Sequence, residues 1–99
     1  MELPEDVVRY VERSFAGVDR EPALDMLRAA VVQDRSQSQA RLMRCAVVSA
    51  HRDVDRLRKQ LARLNVDWRD VIVEGEYAVR EGKLARVRDL NGPIDPDET

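Results

Sequence analysis

Apolar residues recur at helical spacing along most of the chain. Val7, Tyr10 and Val11 share a side with Ser14, and Val8 and Phe15 flank them, which predicts a helix over residues 4–16. Pro4 suits a first turn, where its missing N–H would be unpaired anyway. Glu5 and Asp6 favour the positive end of the helix dipole. Gly17 reads as the stop. A second helix is predicted over residues 20–33, led in by Asp19 or Glu21, with Pro22 in its first turn and Leu24, Leu27 and Val31 as its stripe. Polar residues 34–38 separate it from a third, with Asp34 or Ser36 as cap. In that third helix, residues 38–50, Leu42, Met43, Cys45, Ala46, Val47, Val48 and Ala50 occupy nearly the whole circumference. Such a helix is buried on most sides, so it is expected at the centre.

Arg52-Asp53 interrupts the pattern, with Asp53 as cap of a fourth helix over 54–64 carrying Val54, Leu57, Leu61 and Leu64. The alternative is one unbroken helix over 38–64, against which no proline or glycine stands. Asp67, followed by Asp70 three residues later, predicts a fresh N-terminus and a fifth helix from Trp68 to about Tyr77 or Arg80. Glu81-Gly82-Lys83 reads as a turn. Residues 84–90 suit either a short strand or a helical turn, and Asn91-Gly92-Pro93 ends regular structure. The expected fold is all-α: five helices in one domain over 1–94, a central apolar helix, an irregular C-terminal arm and a loose acidic tail at 95–99.

Composition narrows the class. With 99 residues there is room for one domain. Apolar residues at 43 % are too plentiful for general disorder. No apolar run approaches the roughly 18–20 residues of a membrane span, and residues 1–10 lack the pattern of a secretory leader. One cysteine excludes an internal disulfide, and one histidine leaves little for a zinc site. The expectation is a small soluble cytoplasmic domain without cofactor or metal.

The net charge of −2 hides an asymmetry. Residues 1–34 carry four basic and eight acidic residues, residues 41–63 seven and two, and residues 64–99 five and nine. Arg52, Arg56, Lys59 and Arg63 fall together opposite the leucine stripe, a candidate ridge for docking phosphate or an acidic protein. A solvated face exchanging ion pairs with the acidic side of the fifth helix, which carries Asp67, Asp70, Glu74 and, if the helix reaches that far, Glu81, is the plainer reading. On the fifth helix Trp68, Val71, Ile72 and Gly75 make one apolar face, while Val66, Val73 and Tyr77 share another side. A small domain needs only one such stripe. The second predicts either cover from the 84–94 arm or a two-fold homodimer through Val66, Val73 and Tyr77.

No catalytic motif is present: no Walker loop, dinucleotide fingerprint, nucleophile elbow or EF-hand spacing. Cys45 sits in the densest apolar stretch, where a thiol behaves as a small hydrophobe. His51, six residues on, would point about 240° away on a helix. Asp70 and Glu74 stand one turn apart, with nothing to mark them as a buried acid–base pair. Ser49 is expected to bond the carbonyl one turn back. A helix-turn-helix through the third and fourth helices lacks the usual turn glycine, and its basic ridge lacks Asn or Gln for adenine.

From about Arg41 onward the chain resembles small uncharacterised bacterial helical proteins with no assigned function. Arg44-Cys45, Asp53-Val54-Asp55-Arg56-Leu57-Arg58, Asp67-Trp68-Arg69-Asp70-Val71-Ile72, Glu76-Tyr77 and Arg86-Val87-Arg88-Asp89-Leu90 carry the resemblance. It implies a bacterial cytoplasmic helical protein and no activity. The functional expectation is a non-catalytic interaction or adaptor protein, with itself or another protein as partner. The alternative is a nucleic-acid-associated regulator using Arg52, Arg56, Lys59 and Arg63.

Overall fold

Residues 42–50 are buried without interruption, and the other elements are arranged around them. The computed structural model describes residues 3–34 and 36–96. In chain order the elements are α1 Glu5–Ser14, α2 Gly17–Ala29, α3 Gln39–Ser49, α4 Val54–Glu76, β1 Tyr77–Arg80 and β2 Lys83–Arg86. Among the described residues the protein is therefore mostly helical rather than all-α, with four helices instead of five and a small antiparallel hairpin.

α1 buries Val7, Tyr10 and Val11 and ends at Ser14. Phe15 then turns extended and places its ring in the core. Gly17 opens α2 rather than closing α1. This early start leaves Pro22 inside the helix, where its missing N–H deprives the exposed Val18 of a helical donor. α2 also stops at Ala29, short of the expected residue 33. Asn65 explains the early end: its Nδ2 donates to the Val31 carbonyl at 2.7 Å, and its Oδ1 accepts the Gln33 amide at 2.9 Å. An amide side chain that satisfies two main-chain groups holds this segment extended, and Val32 inserts into the core.

Ser38, rather than Asp34 or Ser36, caps α3, its hydroxyl accepting the Arg41 amide at 3.3 Å. Asp34 has other work: it accepts the Ser36 amide at 2.8 Å and the Trp68 indole N–H at 2.8 Å. α3 ends where His51 and Arg52 both take the left-handed conformation, φ 52° and 66°. The chain reverses there, and Asp53 caps α4 by accepting the amides of Asp55 and Arg56 at 2.8 and 3.2 Å. The unbroken helix over 38–64 is thereby excluded. The expected fourth and fifth helices run on as one element, α4, but non-helical backbone at Asp67 (φ −152°, ψ 89°) interrupts it where the second helix was expected to start, and the chain folds back so that Arg63 reaches Asp70 and Glu74 across the break. Asp67 keeps a cap-like role at the bend, accepting the Arg69 amide at 3.2 Å.

α3 and α4 pack against each other through the core. Leu57, Leu64, Val71 and Ile72 line the α4 side. Gly75 crosses α3 at Cys45 so closely that a Cβ there would lie 2.8 Å from the Cys45 Cα. Beyond Glu76, β1 and β2 pair with Tyr77 opposite Arg86, Ala78 opposite Ala85, Val79 opposite Leu84 and Arg80 opposite Lys83. Glu81 and Gly82 both have positive φ, 53° and 76°, the signature of a two-residue type I′ turn. The 84–90 ambiguity resolves into the end of a strand followed by an extended arm. The Val87 and Arg88 amides donate to the Glu76 carbonyl, and Leu90 and Ile94 enter the core. Of the expected loose tail, Asp95 is held by Arg13, whose guanidinium donates to its carbonyl at 3.0 Å, and residues 97–99 lie outside the described residues.

Candidate functional site

The reversal at residues 50–53 folds the start of α4 back along α3 and opens a cavity of about 510 Å³ at the corner. His51, Arg56, Lys59 and Arg63 line it, together with Glu74 from beyond the bend and the buried Ser49 and Gln60. Arg56, Lys59 and Arg63 follow one another at three- and four-residue steps, so they share a face of α4. Its interior wall is saturated. The Ser49 hydroxyl donates to the Cys45 carbonyl at 2.6 Å and accepts from Gln60 Nε2 at 2.7 Å. Gln60 also donates to Glu74 and accepts from Arg63 at 2.8 Å.

Of the four ridge residues, the structure brings three to the cavity. Arg52 is exposed and does not line it. Arg63 is committed, reaching Glu74 at 2.9 Å and Asp70 at 3.4 Å. Burial works against ionisation of Glu74 more than any other influence. Hydrogen bonds from Arg63 and Gln60, with the charges of Arg63 and Arg56, outweigh it and hold the carboxyl below its ordinary value. Arg52, Arg56 and Lys59 form no ion pair among the described residues, Arg56 acting on Glu74 only through its charge. Asp70 and Glu74 thus serve as counter-ions for Arg63.

The expected strip of Val66, Val73 and Tyr77 does not exist as one helix face. Val66 is 87 % exposed and precedes the bend, Val73 is 39 % exposed after it, and Tyr77 has left the helix as the first residue of β1. Nor does the arm lie over such a strip, since Leu90 and Ile94 go into the core and Leu84 stays exposed. The apolar surface that the structure presents here is a face of the hairpin. Tyr77 and Val79 project to the same side of β1, with Arg86 and Leu84 opposite them on β2. Val79 and Leu84 are paired across the strands yet 71 % and 60 % exposed. Each strand has one neighbour, so the sheet leaves an edge of both without a strand partner among the described residues.

Sequence reasoning missed the buried charges. Glu76 is fully buried and is gripped by Arg41, Nε to Oε2 at 2.9 Å and Nη2 to Oε1 at 3.0 Å. Arg86 reaches Oε1 at 2.8 Å, and the Leu90 amide donates to Oε2 at 3.4 Å. Burial opposes the Glu76 charge most strongly, but the two arginines prevail and its carboxyl stays below the usual range. Arg44 makes the matching pair with Asp6 at 2.9 and 3.1 Å, while Asp6 also accepts the Ile94 amide at 3.1 Å. The Cys45 thiol lies 3.7 Å from Glu76, and burial followed by that charge pushes its pKa up to about 12. A thiol held protonated is a poor nucleophile. A readable signal was present: Glu76 continues the Trp68–Ile72 row at four-residue steps, and Gln60 falls between Leu57 and Leu64.

Among the described residues no group of three His, Cys, Asp or Glu is placed to hold a metal ion, and no helix is long and apolar enough to cross a membrane. No family model, curated protein or solved structure matches the chain.

Proposed function

We propose that this is a non-catalytic interaction protein that associates with a second copy of itself through its β-hairpin. The observation that supports this reading is the Val79–Leu84 pair, large apolar side chains set together on a two-stranded sheet and left mostly in water. A lone hairpin is marginal in water unless more strands or a packed face support it. A second copy supplies both. Antiparallel pairing of β1 with its twin about an axis at Ala78 sets Tyr77 against the second copy's Val79, an aromatic–β-branched pair of the kind that stabilises sheets. A one-residue slip would put the apolar face of one copy beside the Arg80 face of the other. The β2 edge is less suited, because it carries Lys83 and Arg86. Two-fold pairing through β1 also closes the assembly at a dimer.

Light scattering on the full chain tests it. The wild type is expected to give a dimer mass in the micromolar range. Val79→Glu with Leu84→Lys, a cross-strand pair that can bond and so keep the hairpin, is expected to give a monomer. A wild type that stays monomeric at high micromolar concentration overturns the reading.

A further inference from the structure

The α3–α4 corner is a second surface, independent of the hairpin, and its charges are not balanced from within. Three cations on α4 face one carboxylate, so the side chains of Arg56, Lys59 and Arg63 exceed it by two positive charges. Glu74 and Asp70 take Arg63. That leaves Arg56 and Lys59, exposed neighbours on one helix face at the mouth of the cavity, as the cations without an ion-pair partner among the described residues. Arginine offers a planar fork of donors and lysine a mobile point charge, and both hold phosphate in proteins. The backbone supplies a second observation. His51 and Arg52 both occupy the left-handed region, which is strained for an L-residue. Glycine at 51 would relieve that strain but would take the imidazole out of the cavity wall.

We infer that this corner binds a phosphate monoester dianion, with Arg56 and Lys59 as its charge partners, His51 as a hydrogen-bonding wall and Glu74 as a resident anion that restrains Arg63. The charge of the ligand follows from the two uncompensated cations: a phosphate monoester carries about −1.5 to −2 at neutral pH. A phosphodiester track suits the site less well. Arg52 lies outside the cavity, Arg63 is occupied, and Asp53, Asp55 and Asp70 flank the row. The monoester can belong to a phosphorylated protein segment or to a small metabolite, and both present the same group.

Amide chemical shifts of the full chain, followed at about 50 mM salt where phosphate contacts are strong, provide the test. The probes are inorganic phosphate, a phosphoserine peptide with its unphosphorylated twin, and a short DNA duplex. Expected are shifts at residues 51–60 with phosphate and with the phosphopeptide, and none with the unphosphorylated peptide. A phosphopeptide that binds more tightly than phosphate assigns the source to protein; equal affinities assign it to a small molecule. Arg56→Ala and Lys59→Ala should each weaken binding roughly tenfold, the loss of one charge-assisted bond. Arg52→Ala, outside the cavity, should change it less than about twofold. Glu74→Gln should tighten binding several-fold by releasing Arg63, an effect of opposite sign that a merely structural role would not produce. The proposal is overturned by no shift at about 10 mM phosphate, by tighter binding of the duplex than of the phosphopeptide, or by Glu74→Gln weakening the phosphate complex.

Discussion

Gly75 shows how much one residue can decide. It sits on a helix, where alanine is the better former by about 1 kcal/mol, and its φ is helical, so nothing in the backbone asks for glycine. The reason lies across the interface, where the Cys45 backbone leaves no room for a Cβ. Because the obstructing atom is a Cα in the middle of α3 and not a flexible tip, the helices must part. Gly75→Ala should therefore destabilise by about 1–3 kcal/mol despite its better propensity. The check is the denaturant midpoint, and a midpoint equal to or above that of the wild type would show that the crossing can relax. Residue-scale reasoning from sequence placed Gly75 on the right face but saw no contact, since close approach depends on a partner more than twenty positions away. Glu76 was hidden for a related reason. A glutamate in a chain that is 36 % charged reads as solvated until its row is followed down the apolar face of α4.

Among the elements, those fixed by local capping were the most legible. Ser49 bonds back one turn, Asp53 begins α4, and Asp67 marks a change of direction, all from side-chain chemistry that acts within three or four residues. What local chemistry could not say is whether Asp67 separates two helices or bends one. The end of α2 was not legible, because a distant group ends it: Asn65 holds the chain after Ala29, whereas α4 ends at Glu76, one residue before the nearer expected bound. The hairpin follows from its turn. Type I′ geometry requires positive φ at both central positions, which Gly82 accepts and Glu81 does not favour. Glu81→Asn, which tolerates this region, should stabilise by about 0.5–1 kcal/mol and raise the melting temperature by a few degrees. Thermal unfolding of the two proteins side by side decides it, and an unchanged or lower midpoint would mean that the Glu81 side chain has a compensating contact.

The whole molecule is held together by arginines of α3 that reach in two directions. Arg41 and Arg44 are three residues apart on the central helix. One grips Glu76 where the arm begins, and the other grips Asp6 where the arm ends against α1. Arm amides bond to the same two carboxylates, Leu90 to Glu76 and Ile94 to Asp6. The arm is thus fastened to the helices at both ends by charge, with Leu90 and Ile94 as apolar anchors between. Burial opposes both carboxylate charges, but the arginine partners lower both pKa values below 3.8 for Asp6 and 4.5 for Glu76. A carboxylate whose folded pKa is depressed stabilises fully above its unfolded value, and that contribution is lost as pH falls through the folded one. Acidification should therefore act on the arm first. Below about pH 4, hydrogen exchange should show the Leu90 and Ile94 amides losing protection while amides in the middle of α3 keep theirs, the signature of a part that opens before the whole. Glu76→Gln should show reduced Leu90 protection already at neutral pH and a flatter acid dependence, since a neutral amide leaves Arg41 without its counter-charge and Arg86 with Asp89 alone. If arm and α3 amides lose protection together at every pH, the arm and the helices form one cooperative unit, and the two carboxylates act on global stability alone.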